Sequence, residues 1–446
     1  MCYIIKKNNL NCNVSEFIEV ELSEKKSKAQ IYLLLGAARQ VLSGMSGRKS
    51  PADRELAAFY RSNRQCGSRD RALINHCIYI LLRHWGWVRK LAGENVISSI
   101  ESGSEGVANR DLAAMIFFAL CCDGSDPDKS RRLADFIGVP LPPAPGAENA
   151  AEALGIKMQF SVSELLPGWT ENLVPSGYAP GILKRPPVWL RVNRSCMERV
   201  IAELAEKNIS FETVPEFPDA LALNASSLNV MTLNTFQSGD FEIQDLASQA
   251  IASFCSPHKG ERWFDPCAGA GGKTLALAEA MQRTGTVTAG DVRGKVLLEL
   301  RKRARRSGYP NITVRQHDGR PWRGVKPFDG VLLDAPCSCS GVWRRNPGNP
   351  WICSPEDITR HAALQLDILK NFSSCVKPGG VLVYATCSAF REENEEVIGR
   401  FLDMDKRFEP VPYRNPFTGK SDSPFMHVPD DFNCDLMFAA RLERKK

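Results

Sequence analysis

From Trp263 onward, four apolar runs each stop at a charged or small residue and give way to a segment of helical spacing: Trp263 to Asp265, Thr286 to Asp291, Val331 to Asp334 and Val381 to Ala385. Short apolar runs alternating with helices predict a parallel sheet linked by crossover helices. A further strand is expected over Thr313 to Gln316. In such a sheet ligands sit outside the carboxyl ends of the strands. The residues that follow each run are therefore the first candidates for function.

Upstream the period changes. Ile31, Leu34, Leu35, Ala38 and Val41, then Leu73, Ile74, Cys77, Ile80 and Leu81, recur at helical spacing, so residues 29–140 read as an all-helical domain behind an extension over 1–28. Ser68 with Asp70 marks a helix start, and Gly86 and Gly124 fall where helices can end. Pro140, Pro142, Pro143 and Pro145 break the pattern, and 141–185 is expected to be a linker. Pro187 to Asn193 alternates like a strand, Cys196 to Lys207 like a helix and Leu221 to Leu223 like a strand. They predict a small α/β subdomain over 186–240 ahead of the main α/β domain, 241–446.

Composition narrows the function class. The 446 residues are 43% hydrophobic and 24% charged, as in ordinary globular protein. The richest apolar run, Ala113 to Cys122, is well short of the roughly 18 residues of a membrane helix and reads as a buried helix. Residues 1–28 mix Lys, Asn and Glu and lack a secretory signal, so a cytoplasmic protein with no membrane partner is expected. The 15 cysteines include no C-x-x-C pair and only 6 histidines accompany them, so neither a disulfide scaffold nor a metal site is expected. The net charge of +6 is concentrated: residues 293–326 hold 11 Lys+Arg against two Asp+Glu, including Arg301-Lys-Arg-Ala-Arg-Arg306. That patch suits phosphate contact, or a solvated helix face.

Five segments carry chemistry. Asp265-Pro-Cys-Ala-Gly-Ala-Gly-Gly-Lys-Thr274 is a glycine loop opening a helix, suited to close approach of an anionic or nucleotide ligand. A P-loop would require glycine where Cys267 stands. Asp291 ends the next strand about twenty residues on, where an acidic side chain commonly accepts hydrogen bonds from ribose hydroxyls. Asp318, in His317-Asp-Gly-Arg320, suits an adenine edge or a plain Asp-Gly turn. Asp334 and Cys337 leave a strand in Asp334-Ala-Pro-Cys-Ser-Cys-Ser-Gly341, and Cys387 leaves another in Ala385-Thr-Cys-Ser388. Two strand-end cysteines downstream of a nucleotide loop point to a reactive site.

Together, Cys-Ala-x-x-Gly-Gly-Lys, Asp-Ala-Pro-Cys-Ser and Ala-Thr-Cys-Ser resemble the Sun/Fmu family of RNA cytosine-5 methyltransferases, over residues 186 to the C-terminus. Ser68-Arg-Asp-Arg-Ala-Leu73 in the helical region resembles the NusB-like RNA-binding domain of its bacterial ribosomal-RNA members. The resemblance implies a Rossmann-like, S-adenosylmethionine-dependent methyltransferase domain preceded by a NusB-like domain and a small α/β subdomain. Cys267, Ala268, Gly269, Ala270, Gly271, Gly272 and Lys273 would surround the methionine part of the cofactor. Asp291 would meet the ribose, Asp318 the adenine, and Asp334 would lie beside both cofactor and base. Cys387 would be the nucleophile toward cytosine C6 and Cys337 would assist its release, although DNA cytosine-5 enzymes use a Pro-Cys nucleophile like Pro336-Cys337. The family usually has Ala-Pro before the paired glycines, and this chain has Gly269-Ala270, a freer loop. The implied partner is RNA, ribosomal first and transfer RNA second, bound by a monomer; a noncatalytic RNA-binding assembly factor is the other reading.

Overall fold

The computed structural model describes residues 24–102, 107–175, 177–224, 229–320, 322, 326–429 and 432–446. Most of the expected extension over 1–28 lies outside them; from Glu24 the chain is already in the first helix.

The amino-terminal layer is helical: α1 (Glu24–Arg48), α2 (Ala52–Ser62), α3 (Ser68–Arg83), α4 (Trp85–Ala92), α5 (Glu94–Glu101), α6 (Asn109–Asp123), α7 (Pro127–Ile137) and α8 (Ala147–Ala153). Apolar nearly all round from Leu112 to Cys121, α6 is central and packs against α3, α7 and α8. Asp70 accepts the Gly67 amide at 3.0 Å where α3 begins, and Gly124 closes α6 at φ 68°.

Gly86 does not end a helix as expected. The break falls at His84, and Gly86 lies in the first turn of α4, where the Glu164 carbonyl passes 1.7 Å from where a Cβ would stand. The segment expected as a linker over 141–185 is packed. Ala147, Ala150 and Ala151 bury α8 in the helical core, and further on Leu166, with Tyr178 and Ile182 of α9 (Tyr178–Ile182), packs against Trp343, Ile358 and Phe390. The proline-rich stretch ahead of α8 lacks regular structure, because proline withholds the amide a helix needs, and residues 156–161 are likewise irregular.

Next comes an antiparallel sheet in the order β2-β3-β1-β4, formed by β1 (Val188–Val192), β2 (Phe211–Val214), β3 (Phe217–Leu223) and β4 (Phe241–Ile243). Helices α10 (Met197–Glu206) and α11 (Asn234–Gln237) are inserted between its strands. This sheet extends past the expected limit at residue 240, since β4 pairs β1. Alternation sends Leu190 and Val192 into the subdomain core and Trp189 into the core of the main domain, so the two units share a wall.

After α12 (Leu246–Cys255) the main domain runs β5 (Arg262–Asp265), α13 (Gly272–Ala280), β6 (Thr286–Asp291), α14 (Gly294–Arg306), β7 (Ile312–Gln316), β8 (Phe328–Asp334), α15 (Pro355–Ser373), β9 (Val376–Thr386), α16 (Glu395–Met404), β10 (Phe408–Pro410), β11 (Phe425–His427) and β12 (Phe438–Arg444). The sheet order is β10-β12-β9-β8-β5-β6-β7, with β11 beside β12. Strands β5 to β9 pair in parallel as predicted, whereas β10, β11 and β12 form an antiparallel extension the alternation did not announce. Strand order reverses at β5, between β6 and β8, so a crevice opens at the carboxyl ends there. Among the described residues, no helix is long and apolar enough to cross a membrane.

The helical layer is fastened to the main domain beside that crevice. Trp351 and Ile352 pack against the helical core, and the buried Arg83 guanidinium donates to the Arg344 carbonyl at 3.2 Å and to that of Ile182.

Candidate active site

The sheet register brings the predicted residues together. Asp334 pairs with Ala385, so Cys337, three residues beyond Asp334, and Cys387, two beyond Ala385, leave neighbouring strands at the same level. Their sulfurs are 3.4 Å apart. On the other side of the crevice the glycine loop joins β5 to α13, and Lys273 in the first turn of α13 reaches across to Asp334 at 2.8 Å. Burial lowers the basicity of Lys273, but the Asp334 charge outweighs it and keeps the ammonium protonated well into the alkaline range.

The loop has the form of a ligand cradle. Gly269 and Gly271 take φ of 53° and 89°, and the Gly269 amide donates to Asp291 at 3.0 Å. A Cβ at Gly269 would meet nothing nearer than an Arg293 nitrogen at 3.9 Å, so open space lies above the backbone. Asp265, 1% exposed, accepts the Thr274 hydroxyl at 2.7 Å on one oxygen while the other has no hydrogen-bond partner; burial pushes its carboxyl up to about 7. Open space over glycine backbone and an unpaired buried acceptor fit the S-adenosylmethionine that the sequence implied. Ala268 is buried against α14, and the Ala270 carbonyl accepts from Arg303, so residues 268 to 270 offer backbone rather than side chains. Burial, followed by the charges of Asp265, Asp334 and Asp291, holds the Cys267 thiol well above its ordinary range, which makes it a poor nucleophile.

Asp291 ends β6 facing this loop. Burial opposes its ionisation, yet hydrogen bonds from the Arg293 side chain and amide and from Gly269 hold its carboxyl below the usual range. The Arg293 side chain, 65% exposed, covers the carboxylate at 3.0 Å, a partner sequence reasoning missed. Asp318 is not drawn in. It is exposed on the turn after β7 and accepts the Arg320 amide at 3.0 Å; that turn is held by His317, whose ring meets the Pro266 carbonyl at 2.8 Å, and by Asn371, which donates to the Gly319 carbonyl at 3.0 Å. Val292, 53% exposed, adds an apolar side chain beside Gly319 of that turn.

Two further groups went unread in the sequence. Glu393, fully buried, accepts from the Ser338 amide at 2.8 Å, from Gln365 at 3.0 Å and from the Ser388 and Ser338 hydroxyls at 2.5 Å, which ties the two cysteine loops together. Cys339 brings a third thiol: its sulfur and those of Cys337 and Cys387 all lie within 4.8 Å of one another. The Cys-Ser-Cys spacing was its only sequence signal. Hydrogen bonds from the Cys337 and then the Cys387 thiol hold Cys339 down to about 3. Cys337 is correspondingly raised by its bonds to Cys339 and Cys387. Cys387, lowered by Cys337 but raised more by donation to Cys339 and by burial, also stands well above its ordinary range.

The basic stretch divides. Arg303 and Arg306 pair with buried Glu242, and Arg306 lies 4.0 Å over the Phe236 ring, so these two hold α14 to the subdomain. Arg301, Lys302 and Arg305 remain exposed.

A glycine loop, an acidic strand end and a thiol pair at the switch point of a doubly wound sheet define a Rossmann-like methyltransferase fold. The 16S rRNA methyltransferase RsmB/F family model matches residues 252–443. Ribosomal RNA small subunit methyltransferase B of Salmonella paratyphi A is 38% identical over 308 residues, 64% of this chain and 69% of that protein. The Klebsiella pneumoniae protein of the same name is 41% identical over 224 residues, 49% of this chain, and the match spans about half of its length (51%). In three dimensions the chain is similar to PH0851 (TM-score 0.71, 23% identity, 92% of this chain and 99% of that one). It is also similar to NSun6 from Pyrococcus horikoshii with SFG (TM-score 0.55, 20% identity, 64% and 100%). The chain belongs to the RsmB/F, or Sun, methyltransferase family.

Proposed function

We propose that this protein methylates C5 of a cytosine in ribosomal RNA, with S-adenosylmethionine as methyl donor and Cys387 as nucleophile. The observation that carries the proposal is the pair of strand-end thiols, 3.4 Å apart, beside the Lys273–Asp334 pair at the mouth of the glycine loop. Family membership and the ribosomal-RNA relatives support the substrate class.

The chain's residues divide the work as follows. Residues 267 to 273 and Asp291 hold the cofactor, which supplies an electrophilic methyl group. Arg293 must swing from Asp291 to admit ribose hydroxyls, and its exposed side chain is free to do so. Cytosine C5 is a poor nucleophile until a thiolate adds to C6, so Cys387 must first lose its proton to solvent, and the nearby Lys273 ammonium favours the thiolate left behind. As the C6–sulfur bond forms, the C5–C6 π electrons shift to C4–C5 and those of C4=N3 to N3, which takes up from solvent the proton that Cys387 released; Asp334, paired with Lys273, would accept a hydrogen bond from that N3–H. The bound cofactor would supply the methyl group to C5 and be left as S-adenosylhomocysteine; N3 then gives up its proton, Cys337 assists removal of the C5 proton, the C5–C6 double bond re-forms and the Cys387 sulfur leaves as thiolate. Both faces of the ring must be reached, so the target base is extruded or unpaired. The exposed Arg301, Lys302 and Arg305 offer phosphate contacts on α14.

Cys337→Ala should accumulate a denaturant-resistant RNA–protein adduct, and Cys387→Ala should lose both adduct and product when assayed on ribosomal RNA from a strain lacking the gene. Bisulfite sequencing of that RNA locates the cytosine. Retained methylation in Cys387→Ala would sink the assignment, and failure to bind S-adenosylmethionine in calorimetry would favour the noncatalytic RNA-binding reading.

A further inference from the structure

The cluster at the heads of β8 and β9 holds one thiol more than covalent addition and release require. Cys339 sits in a left-handed conformation, φ 55°, in the tight turn after Cys337, with its sulfur 3.5 Å from the Cys337 carbonyl. That turn folds the third sulfur back over the other two, and all three lie within 4.8 Å of one another, Cys337 and Cys387 at 3.4 Å. A tetrahedral zinc ion with bonds of about 2.3 Å to sulfur keeps its sulfur ligands roughly 3.8 Å apart. The observed separations bracket that spacing, so small side-chain rotations suffice to close three sulfurs around one ion.

We propose that Cys337, Cys339 and Cys387 form a binding site for a thiophilic divalent cation, Zn2+ in the first instance, which captures the cysteine cluster as a trithiolate. The electrostatics agree with the geometry. The charges of His361 and Lys273 favour a thiolate at Cys339, and each sulfur that still carries a proton releases it to solvent as it binds. The complex of one dication with three thiolates carries a net charge of −1, which the neighbouring Lys273 ammonium offsets. The fourth tetrahedral position is left for water. On the reading of Cys387 as nucleophile, a bound ion occupies the lone pair that must attack cytosine, so metal and RNA addition exclude each other.

Zn2+ titrated into the full-length protein against a chromophoric chelator should show one tightly held ion per chain, and Cd2+ should produce the ultraviolet sulfur-to-metal charge-transfer band. Cys339→Ser should weaken affinity at least about 100-fold, the scale set by loss of a ligand rather than of its outer-shell partner. Cys339→Gly, suited to the positive φ, should do the same if the serine variant folds poorly. Cys196→Ser, a thiol distant from the cluster in sequence, should bind as the unaltered protein does. No tight ion, or equal affinity in the unaltered and both Cys339 variants, would overturn the site. Zinc should also block adduct formation by Cys337→Ser until a chelator removes whatever the remaining two thiols hold, and should block methylation by the unaltered protein at far lower concentration. Tight binding with undiminished methylation would uphold the site while removing Cys387 from its catalytic role.

Discussion

Gly269 and Gly271 stand two residues apart in one loop, both in the left-handed region, yet the space around them differs. A Cβ at Gly271 would stand 2.6 Å from the Leu300 side chain of α14, whereas at Gly269 it would point into the open crevice. Gly271→Ala should therefore cost about 2–4 kcal/mol in chemical denaturation, backbone strain and overpacking together. Gly269→Ala should cost about 1 kcal/mol in stability but weaken S-adenosylmethionine binding in calorimetry, because its methyl group occupies the cradle. Equal loss of stability in the two, with affinity untouched in Gly269→Ala, would refute the cradle. Sequence spacing identified both glycines without separating their roles. The same holds for the cysteines: Cys267, Cys337 and Cys387 all follow strand ends, but only the last two meet. Burial among carboxylates sets Cys267 apart. Asp318 shows the opposite case, a residue whose position in the motif was legible while its exposure was not.

At the scale of elements, the junction of α3 and α4 turns on His84. It is 3% exposed, and its Nδ1 meets the Ile80 carbonyl at 3.1 Å. Burial lowers its pKa from 6.5 to about 4. An unfolded chain takes up a proton near 6.5 that the folded one refuses until about 4, so this contribution is fully present above pH 6.5 and is lost as pH falls from there toward 4. The loss approaches about 3 kcal/mol. Urea midpoints of the unaltered protein and of His84→Gln should converge as pH falls from 7 to 4; a constant gap would mean that His84 takes up its proton in the fold as readily as in the unfolded chain. Helix α14 makes a related point. Its basic residues look alike along the sequence, and only the position of Glu242 on β4 tells Arg303 and Arg306 from Arg301, Lys302 and Arg305. A carboxylate about sixty residues away leaves no local trace.

For the whole molecule, the decisive contact is between layers. Arg83 of α3 carries a buried charge, favoured by the charge of Asp123, and one terminal nitrogen donates to the carbonyls of Ile182, Lys184 and Arg344 while its Nε has no hydrogen-bond partner. Since Arg344 lies between the Cys337 loop and Trp351, which packs on the helical core, this side chain couples the helical layer to the loop that bears the thiols. Arg83→Ala should destabilise the protein by about 2–3 kcal/mol and separate the melting of the helical layer from that of the sheet; a single unsplit transition at the original temperature would show that the coupling lies elsewhere. The sequence by itself determined the parallel strands, the glycine loop, the acidic strand ends and the resemblance that named their chemistry. Those features depend on the short-range period of apolar residues and on spacing within single loops. Only the tertiary structure decided that Arg293 covers Asp291, that Glu393 ties the two cysteine loops together, that Asp318 is exposed and that Cys339 joins the Cys337–Cys387 thiol pair. Each of these depends on side chains brought together by strand register and layer packing, and the distances that govern charge and coordination exist only once the chain has closed on itself.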